Sequence, residues 1–153
     1  MVAEEMTGTL SLRLHHIGFV VSDMETSIEG FTYSLAARWD GHTYCDPIQR
    51  VRVSFLSTGP SDAQIELVEP GTTDSPVSKF LERGGGLHHV CYEVADLEQA
   101  LLTLKAKKAI TVRRPVPAVA FAGRRIAWVL TAEKLLVELL EKECTARSES
   151  RVA

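Results

Sequence analysis

The chain has 153 residues, a formal net charge of −3 at pH 7, 45% hydrophobic residues and 24% charged residues. That length suits one domain whose core needs no covalent staples. The acidic balance argues against nucleic acid as a partner, and no apolar run approaches the ~18 residues that would span a bilayer. Three cysteines, Cys45, Cys91 and Cys144, form no C-x-x-C pair and no even framework, which points to a reducing compartment. The start, Met1 to Thr7, is acidic and lacks an apolar segment, so it does not read as a signal peptide. These features together predict a cytoplasmic protein without a membrane partner.

In chain order, residues 1–10 read as a flexible tail and 11–143 as one domain of two modules, 11–70 and 86–143. In the first module Ile17, Phe19 and Val21 alternate as one face of a strand, with His15 on that face, while His16, Gly18 and Val20 take the other. Asp23 then caps a helix whose apolar stripe is Met24, Ile28, Phe31 and Leu35. Three strands follow near 38–44, 50–57 and 63–69, with Gly59-Pro60-Ser61-Asp62 as the turn before the last. A linker helix is expected over 71–85: Ser75 caps it, Pro76 takes its first position, Phe80 and Leu81 dock it, and Gly84-Gly85-Gly86 ends it. The second module repeats the plan. Val90, Tyr92 and Val94 alternate, Asp96 caps, and Leu97, Leu101 and Leu104 form the stripe. Strands are expected around 126–129 and 135–141, before a polar tail at 144–153.

The two modules repeat each other in register. Leu14-His15-His16-Ile17 returns as Leu87-His88-His89-Val90, and Ser22-Asp23-Met24-Glu25 as Ala95-Asp96-Leu97-Glu98. Ile65-Glu66-Leu67 returns as Val137-Glu138-Leu139, and Phe55 maps onto Trp128. Such self-similarity is the sign of duplicated supersecondary units. Each unit carries an early histidine and a late glutamate. Strand parity sets His16, His89, Glu66 and Glu138 on faces opposite the helix-packing residues. A buried carboxylate needs a compensating partner, and two imidazoles with two carboxylates suit one divalent ion: Mg, Mn, Fe, Co, Ni or Zn. His15, His42 and His88 are read as wall or packing residues, and Cys91 as a small wall residue with no base beside it. Phe55 and Trp128 are core residues or pocket lining. The arginine pairs at 113–114 and 124–125 are read as solvated.

This repeated strand–helix–three-strand module resembles the vicinal oxygen chelate superfamily, which includes glyoxalase I, extradiol dioxygenases, methylmalonyl-CoA epimerase and the fosfomycin and bleomycin resistance proteins. The resemblance runs from Leu14 to Glu141 and is nearest to the methylmalonyl-CoA epimerase family. It is carried by His16-Ile17, Val51 to Leu56, Ile65 to Pro70, Asp74 to Leu81 and Gly86 to Val90. It implies an α+β fold of two tandem βαβββ modules forming a half-open mixed β-barrel, and a homodimer. The family's four metal positions fall on His16, Glu66, His89 and Glu138. Two segments differ from those epimerases. Residues 121–136 are shorter and lack their His-Gly-Lys, His-Pro and Gly-Gly elements. Val51-Arg52-Val53 carries no second acid.

The function expected is a divalent-metal-dependent epimerase or isomerase. Glu138 removes an α-proton from a carbonyl compound or acyl-CoA thioester, and the metal stabilises the resulting enediolate. The sequence does not identify the second acid; Glu93, on the strand face of His89, is one candidate. Two alternatives remain: a lyase or isomerase of the glyoxalase I type serving a specialised pathway, and a non-catalytic small-molecule-binding protein of the resistance type.

Overall fold

The computed structural model describes residues 9–143; the tail 144–153 and all but two residues of 1–10 lie outside them. The elements are β1 (Arg13–Val20), α1 (Met24–Leu35), β2 (Arg38–Trp39), β3 (Tyr44–Asp46), β4 (Val51–Ser57), β5 (Gln64–Pro70), α2 (Ser78–Glu82), β6 (Gly86–Val94), α3 (Leu97–Ala106) and β7 (Ile110–Pro117). A single 3-10 turn at Val119–Phe121, β8 (Arg125–Leu130) and β9 (Leu136–Glu141) are the last elements among the described residues. Both α1 and α3 start where their caps predict: the Asp23 and Asp96 carboxylates accept from the Thr26 and Gln99 backbone N–H groups.

All strands join one mixed sheet in the order β2-β4-β5-β1-β6-β9-β8-β7, with β3 also paired to β4. Within each half the first strand pairs in parallel with the last, β1 with β5 and β6 with β9. The halves meet edge to edge through the antiparallel pair β1–β6. The sheet stays open, since β2 and β7 end the order without pairing each other. This is the expected half-open, two-module α+β architecture.

Strand alternation sorts the side chains into three clusters. Under α1, Met24 and Ile28 pack on Leu56 and Leu67, with Phe19, Phe31 and Ile65 beside them. Under α3, Leu97 and Ala100 pack on Ala127, Val129, Val137 and Leu139. The opposite face of every central strand supplies the third cluster, which includes Val20, Val53, Phe55, Val68, Cys91, Ile126 and Leu140. Met24, Leu56, Leu67, Leu97 and Leu139 are fully buried, each contributing about 1.5–3 kcal/mol. The helices thus hold the outer faces and leave the inner face to be shared by both modules. Opposite rims of that inner face touch: Asp46 Oδ2, at the end of β3, accepts from Val119 N in the 3-10 turn at 3.2 Å.

Three local expectations are revised. The strand expected over 38–44 is two short ones, β2 and β3. Between them the Asp40 carboxylate accepts from His42 N, and Trp39 Nε1 donates to the His42 carbonyl. The segment 71–85 is helical only over Ser78–Glu82. Ser75 and Pro76 precede it in a turn closed by the Ser78 N–H on the Ser75 carbonyl, so neither caps nor begins the helix. Gly84, Gly85 and Gly86 do release the chain, all with positive φ. A Cβ on Gly85 would lie 2.7 Å from the Val20 carbonyl oxygen, which excludes any larger residue there.

The third revision concerns His15 and His88. The β1–β6 register slips twice: His15 is an extra residue between Leu14 and His16, and His88 an extra one between Leu87 and His89. A bulge places two consecutive residues against one partner and breaks the alternation. Neither histidine therefore packs beneath a helix. His15 sits edge-on to Phe55 and Phe121, and His88 edge-on to Phe80, on the inner side with His16 and His89.

Candidate metal centre

Two rows of residues cross the sheet side by side. In one, Phe55 lies opposite Glu66, Glu66 opposite Gly18, and Gly18 opposite His89. In the other, Trp128 lies opposite Glu138, Glu138 opposite Cys91, and Cys91 opposite His16. Each row reads aromatic, glutamate, small residue, histidine, and the two run in opposite senses about the Ile17–Val90 pair. The four polar side chains rise from the inner face and meet. His16 Nε2 lies 3.2 Å from His89 Nε2 and 3.7 Å from Glu138 Oε2, and it touches Glu66 Oε2. His89 Nε2 lies 3.3 Å from Glu138 Oε2 and 3.5 Å from Glu66 Oε2.

These four residues are the set expected from strand parity, and all are buried, with His16 at 0% exposure and Glu138 at 2%. Their four donor atoms lie within 4.8 Å of one another. An ion about 2.0–2.2 Å from each donor holds neighbouring donors roughly 3 Å apart, so the spacing fits a cation. Glu66 Oε2 and Glu138 Oε1 are buried and make no hydrogen bond of acceptable geometry. Such oxygens cost several kcal/mol each unless a charge compensates them. The donor set is nitrogen and oxygen without thiolate, as a hard to borderline divalent ion prefers.

The small member of each row makes room for an imidazole. A Cβ on Gly18 would lie 2.0 Å from His89 Cε1, so the His89 ring rests on the bare backbone of β1. Aromatic rings close the other sides: Phe55 stands edge-on to His16 at 5.6 Å, and its repeat mate Trp128 edge-on to His89 at 4.6 Å. The cavity beside the cluster has a volume of about 350 Å³, adequate for a small organic substrate. Val53, Val68, Val77, Phe121, Ile126 and Trp128 are among its walls.

The cavity also holds groups that local sequence patterns did not mark. Asp46 is buried, and its carboxylate accepts from the N–H groups of Ile48, Gln49 and Val119. Arg113, expected in solvent, lines the cavity and donates to Gln49 Oε1 at 3.0 Å and to the Ile48 carbonyl. Gln49 Nε2 is buried without a partner. Arg124 is also drawn inward, donating to Glu93 Oε2 at 3.0 Å. Glu93 is paired with Arg124 and Arg13 and lines a separate recess beside His15, not the cavity beside the cluster. Cys91 is buried with its thiol pushed up to about 12 by desolvation, which makes it an inert wall residue as expected.

The Glyoxalase/Bleomycin resistance protein/Dioxygenase superfamily matches this sequence over residues 15–128. The chain belongs to that superfamily. Among curated relatives, the ethylmalonyl-CoA/methylmalonyl-CoA epimerase of Cereibacter sphaeroides is 31% identical over 119 residues, covering 76% of this chain and 87% of its own. The mitochondrial methylmalonyl-CoA epimerase of Dictyostelium discoideum is 28% identical over 136 residues, covering 85% and 78%. The crystal structure of methylmalonyl-CoA epimerase from Mycobacterium tuberculosis superposes with a TM-score of 0.77 at 27% identity and covers 94% of both chains. The chain is accordingly an enzyme of this superfamily rather than a binding-only member. Among the described residues no helix is long and apolar enough to cross a membrane.

Within the cluster, burial alone would lower the pKa of His16, but the carboxylates of Glu66 and Glu138 and the Cys91 thiol raise it well above 6.5. His89 is raised for the same reason, with Glu138 and Glu66 overcoming burial. Against burial, the two imidazoles hold Glu66 and Glu138 below 4.5. The stability due to raised histidines is present below pH 6.5 and lost as pH rises through their folded values. That due to depressed glutamates is present above pH 4.5 and lost as pH falls through theirs. Chelator-treated protein is therefore expected to melt highest between about pH 4.5 and 6.5, and Glu66→Gln to flatten that profile. A wild-type profile already flat across this window would contradict the ion-paired cluster. Gly18→Ala is expected to cost about 1–3 kcal/mol through overpacking against His89, read as a lower melting temperature. A Gly18→Ala protein melting with wild type would remove His89 from its place over β1.

Proposed function

We propose that this protein is a divalent-metal-dependent epimerase of acyl thioesters. In this reading His16, Glu66, His89 and Glu138 hold one ion, and Glu138 is also the base. The observation that supports it is the convergence of two imidazole nitrogens and two carboxylates on one point beside an apolar cavity. The likeness to the Cereibacter epimerase supports a 2-alkylmalonyl thioester as the substrate class. When bound, the ion supplies Lewis acidity that stabilises negative charge gathering on the substrate carbonyl oxygen.

The protein's own groups account for the remaining steps. Glu138 Oε1, which has no hydrogen-bond partner, accepts the α-proton from the substrate carbon. A positioned base of this kind is worth roughly 10²–10⁴-fold in rate. Return of a proton to the opposite face inverts the carbon. Phe121, Ile126 and Trp128 keep bulk water from the reacting carbon. Arg113 and Gln49 form a polar corner in the apolar wall and bind the anionic end of the substrate. Asp46 holds that corner through its three backbone hydrogen bonds.

His89→Ala is expected to abolish stoichiometric binding of Co²⁺ at neutral pH, measured by equilibrium dialysis. Retained binding would remove His89 from the ligand set. Metal-loaded protein is expected to exchange the α-hydrogen of methylmalonyl-CoA for deuterium from solvent, followed by NMR. Glu138→Gln should suppress exchange by about 10²-fold or more while substrate still binds. Exchange untouched by Glu138→Gln would move the base elsewhere. Metal-loaded wild-type protein that exchanges no 2-alkylmalonyl thioester would refute the substrate class.

A further inference from the structure

The doubled histidine of each repeat has a geometry that the metal set does not use. His15 Nδ1 lies 2.8 Å from His16 Nδ1, and His88 Nδ1 lies 2.9 Å from His89 Nδ1. Both contacts depend on the bulges of the β1–β6 pair, which turn His15 and His88 onto the same face as their neighbours. Each outer ring is held by aromatic edges, His15 by Phe55 and Phe121, and His88 by Phe80 and Trp128. On His16 and His89 the nitrogens facing the carboxylates are the Nε2 atoms.

We infer that His15 and His88 are positioning residues that fix the tautomer and ring orientation of the two metal-ligating imidazoles; this rests on the metal reading above. A hydrogen bond between two imidazole nitrogens needs one N–H and one lone pair. A ligating Nε2 must offer its lone pair to the ion, so the proton of His16 and His89 stands on Nδ1. That N–H donates to Nδ1 of His15 or His88, which must then be the bare nitrogen. The outer rings therefore carry their protons on Nε2. One tautomer is selected at each of four rings, and the selection is the same in both modules. An acceptor on the far nitrogen of a ligating histidine raises its basicity and stops the ring from turning, and losing it typically costs 10–100-fold in metal affinity. Without the bulges both outer histidines would fall on the helix side, out of reach of the ligating rings.

The 153-residue chain labelled with ¹⁵N-histidine and loaded with Zn²⁺ tests this directly, because two-bond nitrogen–proton couplings report the tautomer. The expected spectrum has Nδ1–H on His16 and His89 and Nε2–H on His15 and His88. Nδ1–H on either outer ring would overturn the inference. Titration of Co²⁺ into wild type, His15→Ala and His88→Ala is the second arm. Each alanine variant is expected to lose about 10–100-fold in affinity, and His15→Asn and His88→Asn, whose amide oxygen can accept the same proton, should regain part of it. Alanine variants that bind Co²⁺ as tightly as wild type would overturn the inference and leave the metal site standing. Wild-type protein that binds neither Zn²⁺ nor Co²⁺ would instead overturn the metal reading and this inference with it. Should an alanine variant fail to fold, the wild-type tautomer spectrum decides alone, since it requires no substitution.

Discussion

The pairing of β1 with β6 is the contact on which the rest of the molecule depends. It is the seam between the two halves of the sheet path, and it sets Gly18 against His89 and Cys91 against His16. Neighbouring strands stand about 4.8 Å apart, so an imidazole rooted on one strand can lie across the other only if the facing residue is small. Gly18 meets this demand with no side chain and Cys91 with a single sulfur. Sliding the pair by one residue would turn every inner-face side chain outward. The register is thus held both by the apolar pattern and by the fit of each ring over its partner.

From that seam the parallel partners extend the rows. β5 joins β1 and β9 joins β6 in equivalent registers, which brings Glu66 beside Gly18 and Glu138 beside Cys91. Parallel pairs need a crossover, and the intervening helix, α1 or α3, is where each module buries its outer apolar face. The inner face is consequently the one place where both modules contribute on equal terms. Repeated sequence and a local twofold together turn one histidine and one glutamate per module into a four-donor cluster.

The buried charge gives the cluster its chemical character. Two carboxylates and two imidazoles at less than 10% exposure would be a costly inclusion in an apolar face, since ion desolvation can exceed the attraction gained. The neighbouring elements do not relieve that cost: the nearby arginines are committed elsewhere, Arg124 to Glu93, and Arg125 to Glu98 and Glu141. Arg113 stays at the cavity wall with Gln49. The arrangement leaves the carboxylates of the cluster without an arginine partner and places the Arg113–Gln49 pair in the cavity wall.

Much of this was legible in the chain alone, because duplication converts a weak local signal into a repeated one. The capping aspartates, the late strands, the four residues His16, Glu66, His89 and Glu138 and the helix stripes all follow from periodicity seen twice, except that Leu35, at the end of the first stripe, is exposed. The alternation rule failed at His15 and His88, because a bulge leaves no mark in residue type and reverses the parity of whatever it inserts. The break between β2 and β3 escaped for a similar reason, since side-chain bonds around Asp40 and His42 set it. Glu93, Arg113, Gln49 and Asp46 were undecidable from sequence. Their partners lie on distant segments, so only tertiary packing could say which charge faces the cavity and which is spent in a pair. Repetition along the chain establishes two like modules and the donors each offers. The meeting of those donors at one point belongs to the folded sheet, because it depends on how β1 and β6, distant in the chain, pair across two bulges.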